Sequence, residues 1–269
     1  MINVRDLDSV RAARPFLVAH RGGVIAEDAP ENSVRAIELA AEHGYAMVEL
    51  DLTETADDEP ILMHGRLQTN CGVAKKAIDL TSHELTALRY RGSDQRVITL
   101  AQGVETCASL GLGVMLDFKL RRDPAQGSYV EPSAVFLQRT AALVRSAGLE
   151  NSAVAISDMP ALRKHLEDVT LFPVRFEDIQ RLFADDRIPL DGQFWFGWAE
   201  ELPSQAVPRL HATGAFAIVS INAFHYPIHA HDTLAREDIE RLLDAGVDGF
   251  QIDCVYERHF KRPPAPSNA

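Results

Sequence analysis

Four short polar clusters in this chain carry the residue types of metal and acid/base chemistry. His20-Arg21-Gly22-Gly23 follows directly on the apolar run 16–19, and His64 follows the apolar residues 61–63. Glu49 and Asp51 alternate within the run 47–52, and Asp117 and Lys119 alternate across the end of 113–118. Residues two apart on a strand point to one side, so each pair shares a face. Three carboxylates gathered at one place repel one another and resist desolvation, an objection that a hard divalent cation removes. With water and phosphate oxygens they suit Mg²⁺ or Ca²⁺ better than zinc, so Glu49, Asp51 and Asp117 are the expected metal ligands. Imidazole titrates near neutral pH, which makes His20 and His64 the expected acid/base pair; His20 as base and His64 as acid is the order taken first, and sequence leaves the reverse open. Arg21 offers a fork of donors for a phosphate, Lys119 could neutralise charge growing on it, and Gly22-Gly23 would let backbone approach a ligand. Taken singly, each residue also reads as a strand-end ion pair or a structural histidine; the conjunction points to a site.

These residues need a scaffold that gathers strand ends. Apolar runs of β type at 16–19, 47–52, 113–118, 152–156, 170–175, 194–198, 216–221 and 249–253 alternate with helix-type segments. Helices are expected over 33–43, with Asn32 or Ser33 as cap, and over 99–110, 131–147, 160–167, 177–185, 203–212 and 235–245. Eight alternating units within this length favour one α/β chain of the (β/α)₈ type over an open doubly wound sheet. In such a barrel the catalytic groups sit where strands end and loops begin, which is where the four clusters fall. Residues 60–63 would extend the sheet beside the second strand, and about 65–97 reads as an insertion after it. The expected organisation is a single domain over 1–269 with an extended Pro-rich tail at 262–269. No GxGxxG or GxxxxGK[ST] run opens a helix, which weakens nucleotide-binding readings.

Composition narrows the partners. The chain has 269 residues, 46% hydrophobic and 25% charged, which is ordinary for a globular protein. Its net charge of −12 argues against broad attraction to nucleic acid or anionic membranes. A small-molecule phosphodiester remains compatible, since a local cation can override the global field. Cys71, Cys107 and Cys254 are too few and too scattered for a disulfide framework or a structural zinc site. No run approaches the roughly 20 apolar residues of an integral membrane segment, and residues 1–14 carry no export signal, so a cytoplasmic location is expected.

Several loop residues are candidates for specificity. Trp195, Phe196 and Trp198 lie around the sixth strand, and core packing is the expected role of at least two of them, leaving one as a wall of the site. Asn222 and His225 follow the seventh strand, with His229 and His231 completing an HxxxHxH run whose loop context favours substrate contact or solvation over a second metal site. Arg175 ends the fifth strand and either reaches the site or pairs with Glu177 or Asp178. Gly127 and Ser128 would lie in a flexible loop over the mouth.

Taken in order, His20-Arg21-Gly22, Ala29-Pro30-Glu31-Asn32-Ser33, Val48-Glu49-Leu50-Asp51 and Met63-His64 resemble the motifs of the glycerophosphodiester phosphodiesterase family. The likeness continues through Ile78-Asp79-Leu80-Thr81, Glu84-Leu85, Ile98-Thr99-Leu100, Asp117-Phe118-Lys119 and Gly246-Val247-Asp248-Gly249. The resemblance implies a TIM barrel with a small insertion after the second strand. It also implies a divalent cation on acidic residues of the second and third strands, and two histidines that cleave phosphodiesters of lipid metabolism. Carried over by position, Glu49, Asp51 and Asp117 would hold the metal, His20 and His64 would move protons, Arg21 and Lys119 would contact phosphate, and Glu31-Asn32 would brace the first loop.

Three positions depart from the family pattern. Gly65 stands where hydrolytic members have Asp, Asp117 where they have Glu, and Ser220-Ile221-Asn222 where a Trp-Thr-Val-Asn run is common. The first two are similar to the related sphingomyelinase D and phospholipase D enzymes, which can expel a headgroup by internal attack and leave a cyclic phosphate. Hydrolysis of a small phosphodiester is therefore the leading expectation, and cyclic phosphate formation from a lysophospholipid or sugar phosphodiester the second. A non-catalytic ligand-binding barrel is disfavoured, because both histidines and all three acidic positions are present.

Overall fold

The computed structural model describes residues 1–65, 67–122, 127–174, 190 and 193–260. The expected helix at 177–185, Arg175 and the tail at 262–269 lie outside the described residues.

Parallel strands alternate with helices, and the sheet closes on itself. Strands β1 (Phe16–Ala19), β2 (Met47–Glu54), β3 (Pro60–Leu62), β4 (Ile98–Thr99), β5 (Gly113–Phe118), β6 (Ala153–Ala155), β7 (Phe194–Trp198), β8 (Phe216–Ile221) and β9 (Gly249–Ile252) form one sheet. The barrel runs β1-β2-β5-β6, then through parallel bridges Val154–Leu171 and Pro173–Phe194 to β7-β8-β9, and β9 pairs in parallel with β1. The strand expected at 170–175 is thus present as a short ladder rather than a full strand. The result is a (β/α)₈ barrel. β3 and β4 are antiparallel and lie off it, a hairpin and its return strand that extend β2 past the barrel rim.

Alternation along each strand sorts side chains between two cores. Val18, Met47, Met115, Phe194, Phe216 and Ile218 fill the barrel interior, while Leu50, Val114, Ala217, Val219 and Phe250 pack outward under the helices. The helices have conventional starts: Ser33 accepts from the Ala36 N–H ahead of the helix Val34–Glu42, and Thr99 forms a capping box with Gln102 ahead of the helix Leu100–Ser109. One helix was not anticipated. Leu7–Ala13 is capped by Asp6 and presents Leu7, Val10 and Ala13, three residues apart, to the barrel floor, where Ile2 and Val4 join them. The insertion between β3 and β4 packs around its own apolar cluster of Leu67, Leu80, Leu85, Tyr90 and Val97 with Ile61 and Met63.

The last helix starts earlier than expected, at His231, and runs to Ala245. Its end precedes a buried anchor at the N-terminal end of the barrel. Asp248 accepts from Arg14 and the Ala217 N–H (2.9 Å) and meets His211 Nε2 at 2.8 Å. Burial opposes the Asp248 charge, but the hydrogen bonds from His211 and Ala217, with Arg14, hold its carboxyl below the usual range.

Candidate active site

Parallel register brings the acidic residues together. Asp51 and Asp117 are direct partners on β2 and β5, and Glu49 lies one inward position deeper on β2. One carboxylate oxygen from each of the three lies within 4.8 Å of the other two. Glu49 and Asp51 are fully buried, whereas Asp117 is 20% exposed in its side chain, so the cluster opens on the Asp117 side. Lys119 reaches back over the strand end to both aspartates, with Nζ 2.6 Å from Asp51 Oδ1 and in contact with Asp117.

The charges of this cluster are unequal. Burial raises the Glu49 carboxyl well above the usual carboxylate range, and Asp51 and Asp117 add to it. Burial works against Asp51 as well, but Lys119 and the Asn32 amide outweigh it and lower its proton affinity. Lys119 is raised because Asp51, Asp117 and Glu49 overcome its own desolvation. A single ammonium against three carboxylates leaves local charge uncompensated, and Glu49 Oε1 is buried with no hydrogen-bond partner. An oxygen-rich, net-negative cluster with an unpartnered buried oxygen fits a hard divalent cation.

The first loop is folded onto this cluster by the glycines. A Cβ on Gly22 would lie 2.3 Å from Asn32 Cα, and one on Gly23 would lie 2.1 Å from the Ala36 carbonyl oxygen. Both residues therefore admit the chain itself, not a ligand, which corrects the expectation drawn from Gly22-Gly23. Asn32, itself at φ 57°, answers Asp51 twice: its amide donates to Oδ2 (2.6 Å), and its carbonyl accepts from the Asp51 N–H (3.1 Å). The Arg21 N–H donates to Glu49 Oε2 (2.5 Å). Its guanidinium lies 3.6 Å from Glu31, which also accepts from Asn70, while Nε is buried without a partner. Arg21 is thus braced beside the carboxylates by the Glu31-Asn32 segment.

The histidines are carried by different elements. His20 continues the inward column of β1, and its Nδ1 meets Asp253 Oδ1 at 2.6 Å. Asp253 Oδ2 accepts from the Ala223 N–H (2.7 Å). Burial opposes the Asp253 charge, but the His20 hydrogen bond and Ala223 lower its proton affinity. Sequence reasoning missed Asp253; the available signal was an apolar strand ending in Asp, as β2 and β5 nearly do. His64 is carried by the β2–β3 hairpin, where the Met63 N–H donates to the Asp51 carbonyl (2.8 Å) and Thr53 Oγ1 to that of Met63 (2.6 Å). Its Nδ1 is buried and unpartnered, and burial, aided by Lys119 and Arg21, lowers its proton affinity although Asp51 opposes this. Gly65 has φ 80° with open space at its Cβ position, so its backbone needs only a residue tolerant of the left-handed region, as Gly and, less readily, Asp are.

The specificity candidates divide. Trp195 is buried in the layer between barrel and helices, in the packing role expected of at least two of the three aromatics. Phe196 packs partly against the barrel interior. Trp198, on the inward side of β7, is 45% exposed and lies against His225, ring centroids 4.6 Å apart. Asn222 donates to Ser220 Oγ (2.8 Å) and Gln251 Oε1 (3.2 Å), leaving its buried Oδ1 unpartnered. His225 does not converge with His229 and His231: His231 pairs with Tyr256 OH (2.9 Å), and His229 is exposed. Among the described residues the Glu49–Asp51–Asp117 group is the only one with metal-ligand spacing. No helix among them is long and apolar enough to cross a membrane.

Comparison with known proteins agrees with this geometry. Residues 20–152, which hold both histidines, all three carboxylates and Lys119, match the model of the glycerophosphoryl diester phosphodiesterase family. Glycerophosphodiester phosphodiesterase 1 of Rattus norvegicus is 36% identical over 125 residues, 43% of this chain and 37% of that protein. A glycerophosphoinositol inositolphosphodiesterase of Mus musculus is 29% identical over 185 residues, 57% of this chain and 32% of that protein. The matched regions thus span about a third of these relatives. Among solved structures, a glycerophosphoryl diester phosphodiesterase from Parabacteroides distasonis superposes with TM-score 0.69 at 20% identity, covering 97% of this chain and 94% of that one. An Oleispira antarctica phosphodiesterase in complex with the product sn-glycerol-3-phosphate superposes with TM-score 0.65 at 17% identity, covering 93% and 98%. The chain belongs to the glycerophosphoryl diester phosphodiesterase family.

Proposed function

We propose that this chain is a divalent-cation-dependent phosphodiesterase that hydrolyses a glycerophosphodiester to glycerol phosphate and a free alcohol, working as one barrel whose insertion walls the site. The observation that supports this best is the convergence of Glu49, Asp51 and Asp117 within 4.8 Å at the barrel mouth. Glu49, Asp51 and Asp117 would hold Mg²⁺ or Ca²⁺. The cation, when bound, supplies charge to polarise a non-bridging phosphoryl oxygen. Arg21, braced by Glu31, and Lys119, held between two aspartates, would bind and orient the phosphate.

His64, whose Nδ1 has no hydrogen-bond partner, would take a proton from water as the water oxygen bonds to phosphorus. The phosphorus–alkoxide bond breaks, and His20 would deliver a proton from Nε2 to the leaving oxygen. Asp253 fixes the tautomer of His20 and stands behind the ring as counter-charge while it holds that second proton. Trp198, Asn222 and His225 lie on the His20 side, where they would meet the leaving alcohol.

Release of glycerol phosphate from a panel of glycerophosphodiesters, with and without divalent cation, tests this reading. Unchanged turnover by His20→Ala or Glu49→Ala would remove it. Phosphorus NMR separates it from cyclisation: hydrolysis yields a phosphomonoester directly, with no persistent cyclic ester.

A further inference from the structure

Asn222 stands on the same rung of the barrel as His20. Ser220 pairs in register with Gln251, and Ala19 with Ile252, so the positions that follow, Asn222, Asp253 and His20, share one layer at the mouth. The Asn222 amide is used up as a donor below that layer: Nδ2 donates to Ser220 Oγ (2.8 Å) and to Gln251 Oε1 (3.2 Å). Ser220 Oγ also donates to Gln251 Oε1 (2.8 Å), which locks the three side chains together. Oδ1 lies at the other end of the amide and is buried without a partner. His225 supplies the complementary atom. Its Nδ1 accepts from the Asn222 N–H (3.3 Å), and a backbone N–H can only donate, so the neutral ring carries its proton on Nε2. Burial and the neighbouring His20 lower the proton affinity of this ring, although Asp253 and the Ser220 carbonyl favour its charged form. Nε2 is likewise buried without a hydrogen-bond partner. Buried polar atoms are normally paired, and here an acceptor and a donor are left over in one turn.

We propose that Asn222 Oδ1 and His225 Nε2–H together read a hydroxyl, and that the preferred leaving alcohol carries a second hydroxyl on the carbon next to its ester carbon. The proposal rests on the phosphodiesterase reading and names the alcohol taken at that same site. A hydroxyl donates one hydrogen bond and accepts another, so it matches both leftover atoms. An ammonium can donate to Oδ1 but offers nothing to an N–H, and a trimethylammonium does neither. The position suits a leaving group, because Phe224, between the two residues, lies with its ring centroid 6.1 Å from that of His20. Trp198 backs the His225 ring at 4.6 Å. Both atoms are held before any ligand arrives, so little ordering is needed on binding. An alcohol without the hydroxyl leaves both unpaired, which is the arrangement that discriminates strongly. Outside Trp198, Glu200, Glu237 and Asp238 could attract a cation. The first two are exposed, however, and Asp238 is taken by Arg241 (2.7 Å) and Tyr226 OH (3.0 Å).

The test uses glycerol phosphate esters that differ only in the leaving alcohol, with the full chain and Mg²⁺. Ethylene glycol and propan-1-ol are alike in size and exchange a terminal hydroxyl for a methyl group. The expected kcat/KM is about tenfold or more higher for the ethylene glycol ester, with the choline ester no better than the propanol ester. His225→Phe keeps a ring against Trp198 and removes the donor, and Asn222→Leu removes the acceptor. Each is expected to lower the ratio of ethylene glycol to propanol ester by about fivefold or more. His225→Phe decides alone if Asn222→Leu does not fold. Equal kcat/KM for the two esters, a preference for the choline ester, or a ratio unchanged in His225→Phe overturns the proposal. Calorimetry on His64→Ala, which removes the proposed base and leaves the pair intact, separates the two readings. Tighter binding of the ethylene glycol ester, lost when His225→Phe is added, upholds the hydroxyl contact even if the native chain shows no turnover and only the phosphodiesterase reading fails. Equal binding of the two esters, undetectable binding included, overturns the contact by itself.

Discussion

His20 Nδ1 and Asp253 Oδ1 meet at 2.6 Å across the seam where β1 and β9 pair and the barrel closes. The two residues are separated by nearly the whole chain, yet each is the next inward position beyond its own strand. Asp253 is itself held by the Ala223 N–H, so the ring is aimed by a chain of two hydrogen bonds. Replacing Asp253 with Asn leaves the shape but loses the fixed tautomer. Asp253→Asn is expected to lower kcat by about 10²-fold with KM nearly unchanged, and to shift the pH profile of kcat. Steady-state kinetics across pH checks this; loss of thermal stability with unaltered kcat would assign Asp253 a purely structural role.

Glu49 is the deepest of the three carboxylates, and its Oε1 is buried without a hydrogen-bond partner. A cation bound there stabilises the folded state, by about 2.7 kcal/mol at a concentration 100 times its Kd. Mg²⁺ or Ca²⁺ is expected to raise the Tm of the native chain and to raise that of Glu49→Gln far less. Differential scanning calorimetry in chelator and in excess cation measures both, and chelation should abolish turnover.

Lys119 neutralises part of the same cluster without any cation. Lys119→Met leaves Asp51 and Asp117 facing each other with only Asn32 in support, and removing one partner of a buried pair costs about 3 kcal/mol. The loss is expected in chelator and should shrink when divalent cation is added. A denaturant titration that finds equal losses in both conditions would show that Lys119 and the cation do not share the carboxylates.

Asp248 sits at the other end of the barrel and serves only the fold. Its proton affinity is lower folded than unfolded, so its contribution is fully present above the unfolded value of roughly 3.9 and is lost as pH falls through the folded one. Asp248→Asn is expected to cost about 2 kcal/mol at pH 7, with the difference from the native chain shrinking steadily below about pH 4. Activity per folded molecule should not change.

Gly22 admits Asn32 at a distance that excludes any side chain, and its φ of 75° is one that L-residues rarely adopt. Gly22→Ala is expected to push Asn32 off Asp51, lowering stability by about 2 kcal/mol and weakening cation binding. Calorimetric titration with Mg²⁺ reads the second effect separately from the first.

Much of this molecule is legible in the chain itself. Alternation of apolar runs with helical segments is a local property, and it marks the barrel, the off-barrel hairpin and the strand-end positions of His20, Glu49, Asp51, Asp117 and His64. What local pattern cannot express is which groups lie opposite each other once the sheet closes. Asp253 acquires its partner only through the β1–β9 seam, and Asn32 acquires Asp51 only because two glycines let the first loop fold flat. Trp195 and Trp198 are three residues apart on one short strand, and the phase of that strand sends the first into the core and the second to the rim. The N-terminal helix was readable from Asp6 and the spacing of Leu7, Val10 and Ala13, but only the open barrel floor supplies the apolar surface that fixes it. Sequence alone determined the chemistry available, since residue types and strand phase are local. Tertiary structure decided the pairing of charges, because desolvation and hydrogen-bond partners depend on what the closed barrel brings within a few ångströms.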